Sequence, residues 1–221
     1  MSTEPRLVEL RRNVLKENDL IARGLREQFR RAGVFTVSFV SSPGSGKTTL
    51  LERLLSRLRK DYRVAALVGD LATENDAVRL ARAGVPVRQI ITGTVCHLDA
   101  RMVENALADL PLTDLQFLLI ENVGNLVCPA SYDLGEELRF VLMSTTEGED
   151  KPLKYPTIFQ TADVAVITKM DIAQAVEFNR ITALRNIQMV RPGIRVFEVA
   201  AKNDSIDNVV DFLETERQER E

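Results

Sequence analysis

The chain holds one histidine and two cysteines, and all three fall in two short segments, Thr94-Val95-Cys96-His97-Leu98-Asp99 and Leu126-Val127-Cys128-Pro129. Thiolate and imidazole suit zinc, copper and nickel, and they do not suit magnesium or calcium. A single cysteine is usually a small buried hydrophobe, and a single histidine is usually a satisfied core or surface residue. Convergence argues for ligation here. Each segment follows an apolar strand, so Cys96, His97 and Cys128 can meet on one edge of a parallel sheet. A closed structural zinc site takes four ligands. Three good ones leave Asp99, a water or a second copy across a two-fold axis to complete the shell, or an open site from which the metal departs. A nucleophilic Cys96-His97 pair is disfavoured, because neighbours on an extended segment point to opposite sides.

Upstream, Ser41-Ser42-Pro43-Gly44-Ser45-Gly46-Lys47-Thr48 approximates the phosphate-loop pattern G-x-x-x-x-G-K-[ST], with Ser41 where the first glycine stands. A β-branched strand runs in and a leucine-rich helix runs out. Gly44, Ser45, Gly46, Lys47, Thr48 and Thr49 would then form a cradle whose amides face an anion. Lys47 would hold the β and γ phosphates of a nucleotide from an exposed helix start that tolerates truncation. The Thr48 hydroxyl would ligate magnesium. Such a loop requires carboxylates at the ends of neighbouring strands, and Asp70 and Glu121 each follow an apolar run. Gly124, three residues beyond Glu121, could offer its amide to the γ-phosphate. Late in the chain, Thr168-Lys169-Met170-Asp171 is similar to the guanine-reading N-K-x-D of GTPases, with threonine for asparagine and a loss of loop-bracing hydrogen bonds. Ala200-Ala201-Lys202 is similar to the S-A-K loop that meets guanine O6. Lys169, Asp171, Ala201 and Lys202 therefore point to GTP and GDP rather than adenine nucleotides.

These residues need a scaffold, and the hydrophobic pattern supplies one. Strands alternate with helices, which yields a mainly parallel sheet covered on both faces. The expected fold is an α/β three-layer P-loop NTPase of about seven strands, with a G domain over 33–221 preceded by an N-terminal helix over 1–32. Leu7, Leu10, Val14, Ile21, Leu25 and Phe29 mark that helix, and Gly33 its stop. Strands are expected at 34–40, 64–68, 87–91, 115–120, 138–142, 164–168 and 196–199. Helices are expected from Gly46, at about 75–83, after an Asp99 cap, and near 174–189 and 205–215. Gly148 to Pro156, charged and with two prolines, reads as a surface loop.

Composition narrows the classes. The 221 residues carry 45% hydrophobic and 28% charged side chains with a net charge of −3, which fits a globular core and gives no basic footprint for nucleic acid. No apolar run approaches the ~20 residues of a membrane span. A polar amino terminus and two unbridged cysteines make the cytoplasm the expected compartment.

Taken with Gly69-Asp70, Thr92 to Ala100, Glu121 to Ala130 and Glu147 to Pro156, the phosphate loop resembles that of the HypB family of hydrogenase nickel-incorporation GTPases, and the resemblance spans most of the chain. It implies a slow GTPase that forms a nucleotide-dependent homodimer and helps load nickel into the large subunit of nickel-iron hydrogenase, working with the metallochaperone HypA. In that family Cys96, His97 and Cys128 match a nickel or zinc site at the dimer interface. The amino-terminal cysteine cluster or histidine-rich tract of some members has no counterpart in this sequence. Two other classes compete: an accessory GTPase for urease or a cobalamin enzyme, although Cys96-His97-Leu98 departs from the urease relative's cysteine-proline-histidine, and a zinc-stabilised, non-catalytic nucleotide-binding scaffold.

Overall fold

The computed structural model describes residues 6–71, 75–108, 110–203 and 206–220, with side chains from residue 13 onward. A long helix α1 (Arg6–Ala32) leads into β1 (Phe35–Ser41), α2 (Lys47–Leu58), β2 (Val64–Asp70), α3 (Asn75–Ala81) and β3 (Val87–Ile91). Then come α4 (Ala100–Ala106), β4 (Phe117–Glu121), β5 (Leu138–Ser144), α5 (Lys151–Lys154), α6 (Pro156–Thr161) and β6 (Val164–Thr168). The described chain finishes with α7 (Arg180–Val190), β7 (Arg195–Glu198) and α8 (Asp207–Gln218).

The seven strands form one parallel sheet in the order β3-β2-β4-β1-β5-β6-β7. From β1 the chain crosses to one side to build β2 and later returns to the other to build β5. The carboxyl ends of β1 and β4 therefore flank the point where connections diverge, the place where open α/β sheets bind ligands. Register reinforces this: Glu121 at the end of β4 pairs with Phe39 of β1 and Val68 of β2. All positions of β1, β4, β5 and β6 are buried, as expected when helices cover both faces of a parallel sheet. Leu50, Leu54, Phe39, Phe140 and Leu213 pack one face beneath α2 and α8. Ala22, Leu25 and Phe29 of α1 pack the other with Leu67, Leu98 and Leu118. Removing a fully buried ring such as Phe29 would cost about 3–5 kcal/mol.

Polar ties fix α1 to its neighbours. The Asn18 side chain donates to Asp133 O at 2.9 Å and accepts from Ala100 N at 2.8 Å, while Arg26 Nη2 meets Asp133 Oδ1 at 2.7 Å. Burial would raise the Asp133 carboxyl, but hydrogen bonds from Arg26 and from Gly135 N hold it below its ordinary value. Gly33 stops the helix in a left-handed conformation, φ +69°, open to glycine without strain.

Several local expectations give way to tertiary structure. Val14 is exposed, and the side chains of Leu7 and Leu10 lie outside the described residues. The late helix starts at Arg180, not near 174, because the Asn179 side chain accepts from Thr182 N at 2.9 Å as an N-cap. Residue 205, the expected start of the last helix, lies outside the described residues. The 148–156 segment is not a plain surface loop: Pro152 and Pro156 sit in the first turns of α5 and α6, where a missing N–H is harmless, and Pro152 is buried. Among the described residues no helix is long and apolar enough to cross a membrane.

Candidate nucleotide and metal sites

The loop after β1 turns through Gly44 at φ +74° and Gly46 at φ +90°, and Gly46 caps α2. A side chain at either position would be strained. Above it opens a cavity of about 480 Å³ lined by the loop from Ser41 to Thr49 together with Asp70, Gly124 and Lys169. The phosphate-loop residues, Asp70 and the expected sensing glycine thus share one space, and Glu121 joins it through Lys47 and Thr48. Lys47 Nζ donates to Glu121 Oε1 at 3.0 Å, and Thr48 Oγ1 donates to the same oxygen at 2.7 Å. Lys47 is 8% exposed and Glu121 1%, so the expectation of an exposed, easily truncated lysine is wrong. Both side chains are folded inward against the sheet. The second Glu121 oxygen is buried without a hydrogen-bond partner among the described residues. Asp70 accepts from Leu71 N at 2.7 Å.

Thr168 donates through Oγ1 to the carbonyl of Ser45 in the phosphate loop and lies 3.3 Å from Met143 O. The substitution for asparagine therefore keeps a brace that sequence reasoning surrendered. Lys169 adopts φ +59°, its carbonyl accepts from Thr145 Oγ1 at 3.0 Å, and it lines the cavity. Asp171 is exposed on the next turn. Met170 N donates to Val199 O at 3.1 Å, which draws the loop bearing buried Ala201 and exposed Lys202 alongside. Asp171, Ala201 and Lys202 stand outside the lining of the phosphate cavity, on these adjoining loops.

The candidate metal ligands do converge. One ligand atom each from Cys96, His97 and Cys128 lie within 4.8 Å of one another, and the two thiols, not joined in a disulfide, approach to 2.9 Å. Two ligands bound to one zinc at about 2.0–2.3 Å span at most ~4.6 Å, so small adjustments suffice to share an ion. Cys96 and His97 lie on a bend, not on an extended segment, and adjacent residues on it reach the same cluster. The alternation argument fails for that reason. Burial lowers the His97 pKa from its ordinary 6.5, against the opposing charge of Asp99, which favours the neutral ring that metals bind. Asp99, one candidate fourth ligand, instead caps α4 by accepting from Met102 N at 2.8 Å. It is not among the clustered residues.

Two asparagines passed over in the sequence join the sites. Buried Asn122, directly after Glu121, accepts through Oδ1 from Val123 N at 2.9 Å and from Leu98 N at 3.0 Å. Asn125 donates to Cys96 O at 3.2 Å and accepts from Val127 N at 2.9 Å. Leu98, the residue after His97, is fully buried against Gly69, the residue before Asp70. Gly124 abuts Pro43 of the phosphate loop so closely that a Cβ there would lie 3.1 Å from Pro43 backbone. Glu147, which opens one of the stretches that carry the resemblance, bonds Ser42 in the phosphate loop and meets Lys151 Nζ at 2.9 Å. An asparagine just past a strand-end acid is a turn signal that could have flagged Asn122.

A parallel sheet with a glycine-turned loop, lysine and threonine at the carboxyl end of its central strand defines a P-loop nucleotide-binding protein, here with a Cys-His-Cys cluster on the same edge. Residues 35–198 match the CobW/HypB/UreG nucleotide-binding domain. The chain is 44% identical over 215 residues to the hydrogenase/urease maturation factor HypB of Helicobacter hepaticus, covering 95% of this chain and 88% of that protein. It is 42% identical to the hydrogenase maturation factor HypB of Escherichia coli K12, covering 97% and 74%. The crystal structure of Helicobacter pylori HypB in complex with nickel superposes with a TM-score of 0.87 at 42% identity, covering 92% and 96%. The signal recognition particle receptor FtsY of Elizabethkingia anophelis in complex with GDP, at 14% identity, a TM-score of 0.58 and coverage of 81% and 66%, shares the fold alone. The chain belongs to the HypB hydrogenase maturation factors of the CobW/HypB/UreG family.

Proposed function

We propose that this protein hydrolyses GTP slowly and, as a nucleotide-dependent homodimer in the cytoplasm, delivers nickel toward the large subunit of nickel-iron hydrogenase, receiving or passing the metal through HypA. The observation that carries the reading is the Cys96-His97-Cys128 cluster, whose neighbour Leu98 donates its N–H to Asn122, the residue directly after Glu121. The nickel complex of the Helicobacter pylori relative supports nickel as cargo. Thiolate and imidazole ligands accept zinc as well.

Lys47 is the cation aimed at the phosphates. Glu121 holds it in a buried ion pair at 3.0 Å, which fixes where its charge lies beneath the loop. Magnesium fits the donors present: the Thr48 hydroxyl and the Asp70 carboxylate line the cavity, and Glu121, bonded to Thr48 and with Oε2 lacking a hydrogen-bond partner among the described residues, would add a third hard oxygen ligand. When bound it would spread the charge of the transferring phosphate. Gly124 N, beside Pro43, would sense the γ-phosphate, and Asp171 would accept the guanine N1-H and exocyclic amine, with Ala201 and Lys202 flanking the base. Motion of Gly124 would reach Cys128 along the same loop and His97 through Asn122 and Leu98.

Turnover of GTP and ATP by the purified protein, with its mass in GDP and in a non-hydrolysable GTP analogue, tests this. Guanine-selective turnover and a heavier species with the analogue are expected. A folded protein that hydrolyses neither nucleotide would overturn the enzymatic reading and leave a zinc-stabilised scaffold.

A further inference from the structure

The His97 ring is oriented by another ring. Tyr132 stacks on it with centroids 3.9 Å apart and planes 30° from parallel. Tyr132 closes the turn that Cys128 opens, its N–H donating to Pro129 O at 3.3 Å. One aromatic residue therefore joins the Cys128 turn to the Cys96-His97 bend. Its own backbone is pinned: Tyr132 O accepts from Arg139 Nη2 at 2.7 Å, and Arg139 Nε donates to Glu136 Oε1 at 2.8 Å. The same Glu136 oxygen accepts from Ser38 Oγ of β1 at 2.9 Å, and its other oxygen from Leu134 N at 2.7 Å. Ser38, Glu136 and Arg139 are all buried, which makes this a fully partnered and rigid anchor rooted in the central strand.

Metal-bound histidines are generally held by a hydrogen bond at the ring nitrogen that does not face the ion. Nδ1 is buried with no hydrogen-bond partner among the described residues, so, whichever nitrogen faces the ion, no hydrogen bond at that atom fixes the ring plane. We infer that Tyr132 is a positioning residue for metal ligation, its stacked ring holding the His97 imidazole in the plane from which it meets the two thiolates. The inference rests on reading Cys96, His97 and Cys128 as the metal cluster. Tyr132 does not touch the ion itself. It acts by removing rotational freedom that a free imidazole would lose on binding.

Cobalt(II) reports thiolate and imidazole ligation through its visible spectrum, and zinc competition gives the affinity. In full-length protein, Tyr132→Ala should weaken cobalt and zinc by about 10-fold, the usual effect of losing a residue that orients a ligand. Its spectrum should move toward that of His97→Ala, while GDP affinity stays unchanged. Tyr132→Phe keeps the stack and should restore both readouts. Tyr132→Leu, closer in volume, covers the case in which alanine fails to fold. The double variant His97→Ala/Tyr132→Ala should bind no more weakly than His97→Ala, because the tyrosine acts only through the histidine. Additive losses, or a parental spectrum and affinity in both Tyr132→Ala and Tyr132→Leu, would overturn the inference. A His97→Ala protein with parental metal affinity would instead overturn the metal cluster and this inference with it.

Discussion

A methyl group at Gly69 would sit 2.7 Å from Cγ and Cδ2 of Leu98 and 2.9 Å from Cδ1. These atoms belong to a fully buried side chain, so a rotation of Leu98 pushes into packed neighbours, while its backbone N–H, held by Asn122, resists a shift of the residue as a whole. Overpacking of this kind costs about 1–3 kcal/mol. Alanine at a conformationally compatible position returns about 0.4–1 kcal/mol by reducing unfolded-state entropy. Taking the middle of each range, Gly69→Ala should then lose about 1.3 kcal/mol net. For a chain of this length that lowers Tm by about 3–5 °C. The displaced Leu98 adjoins His97, so chelator competition should also show weaker zinc or nickel binding. Leu98→Val in the same protein makes room for the methyl and should recover part of both losses, a coupling that a double-mutant cycle isolates. Thermal unfolding and metal titration of the four proteins are the assay. A Gly69→Ala protein as stable as the parent and with parental metal affinity would show that Leu98 does not key the metal bend to the strand that ends in Asp70.

Removing Lys47 leaves a buried Glu121 carboxylate without its cation, so Lys47→Ala should abolish turnover and lose about 3–5 kcal/mol of stability in urea unfolding. Lys47→Ala/Glu121→Gln should regain much of that stability while remaining inactive; equal instability in both would refute the pairing. Asp171→Asn should shift preference from GTP toward xanthosine triphosphate, since the amide donates where the carboxylate accepted, with stability within ~0.5 kcal/mol of the parent at this exposed site. Retained guanine preference would move the base pocket elsewhere. Asp133 has a depressed pKa, so the native state binds fewer protons there and its contribution is present above the ordinary carboxylate value and lost as pH falls through the depressed one. Arg26→Ala should accordingly be less stable than the parent at pH 7, with the difference shrinking toward pH 3; a pH-independent difference would contradict the assigned cause.

The turn of the phosphate loop was legible because it is local: Gly44 and Gly46 take left-handed conformations and Lys47 and Thr48 open a helix, features that sequence spacing fixes. The sheet was legible because strands buried on both faces read as unbroken apolar runs, as in Leu118-Leu119-Ile120. Asn179 and the prolines at 152 and 156 show where the reading slipped, since a cap or a first-turn proline shifts an element boundary without changing the hydrophobic pattern. The bend at Cys96-His97 was hidden because nothing in the two residues' identities distinguishes a bend from an extended segment. The contacts that join the sites, Asn122 to Leu98, Leu98 to Gly69 and Gly124 to Pro43, are tertiary and link positions 24 to 81 residues apart. Only the packed fold brings them together.

The central claim is that one set of packed loops serves both nucleotide and metal, which makes their binding free energies interdependent. Nickel affinity measured by chelator competition in GDP and in a non-hydrolysable GTP analogue tests it most directly. The expected ratio is about 5- to 150-fold, with the same ratio appearing in nucleotide affinity with and without nickel, because linkage is reciprocal. Cys128→Ala should erase the ratio and leave nucleotide binding intact. Identical nickel affinities in the two nucleotide states of the parent protein would contradict the account.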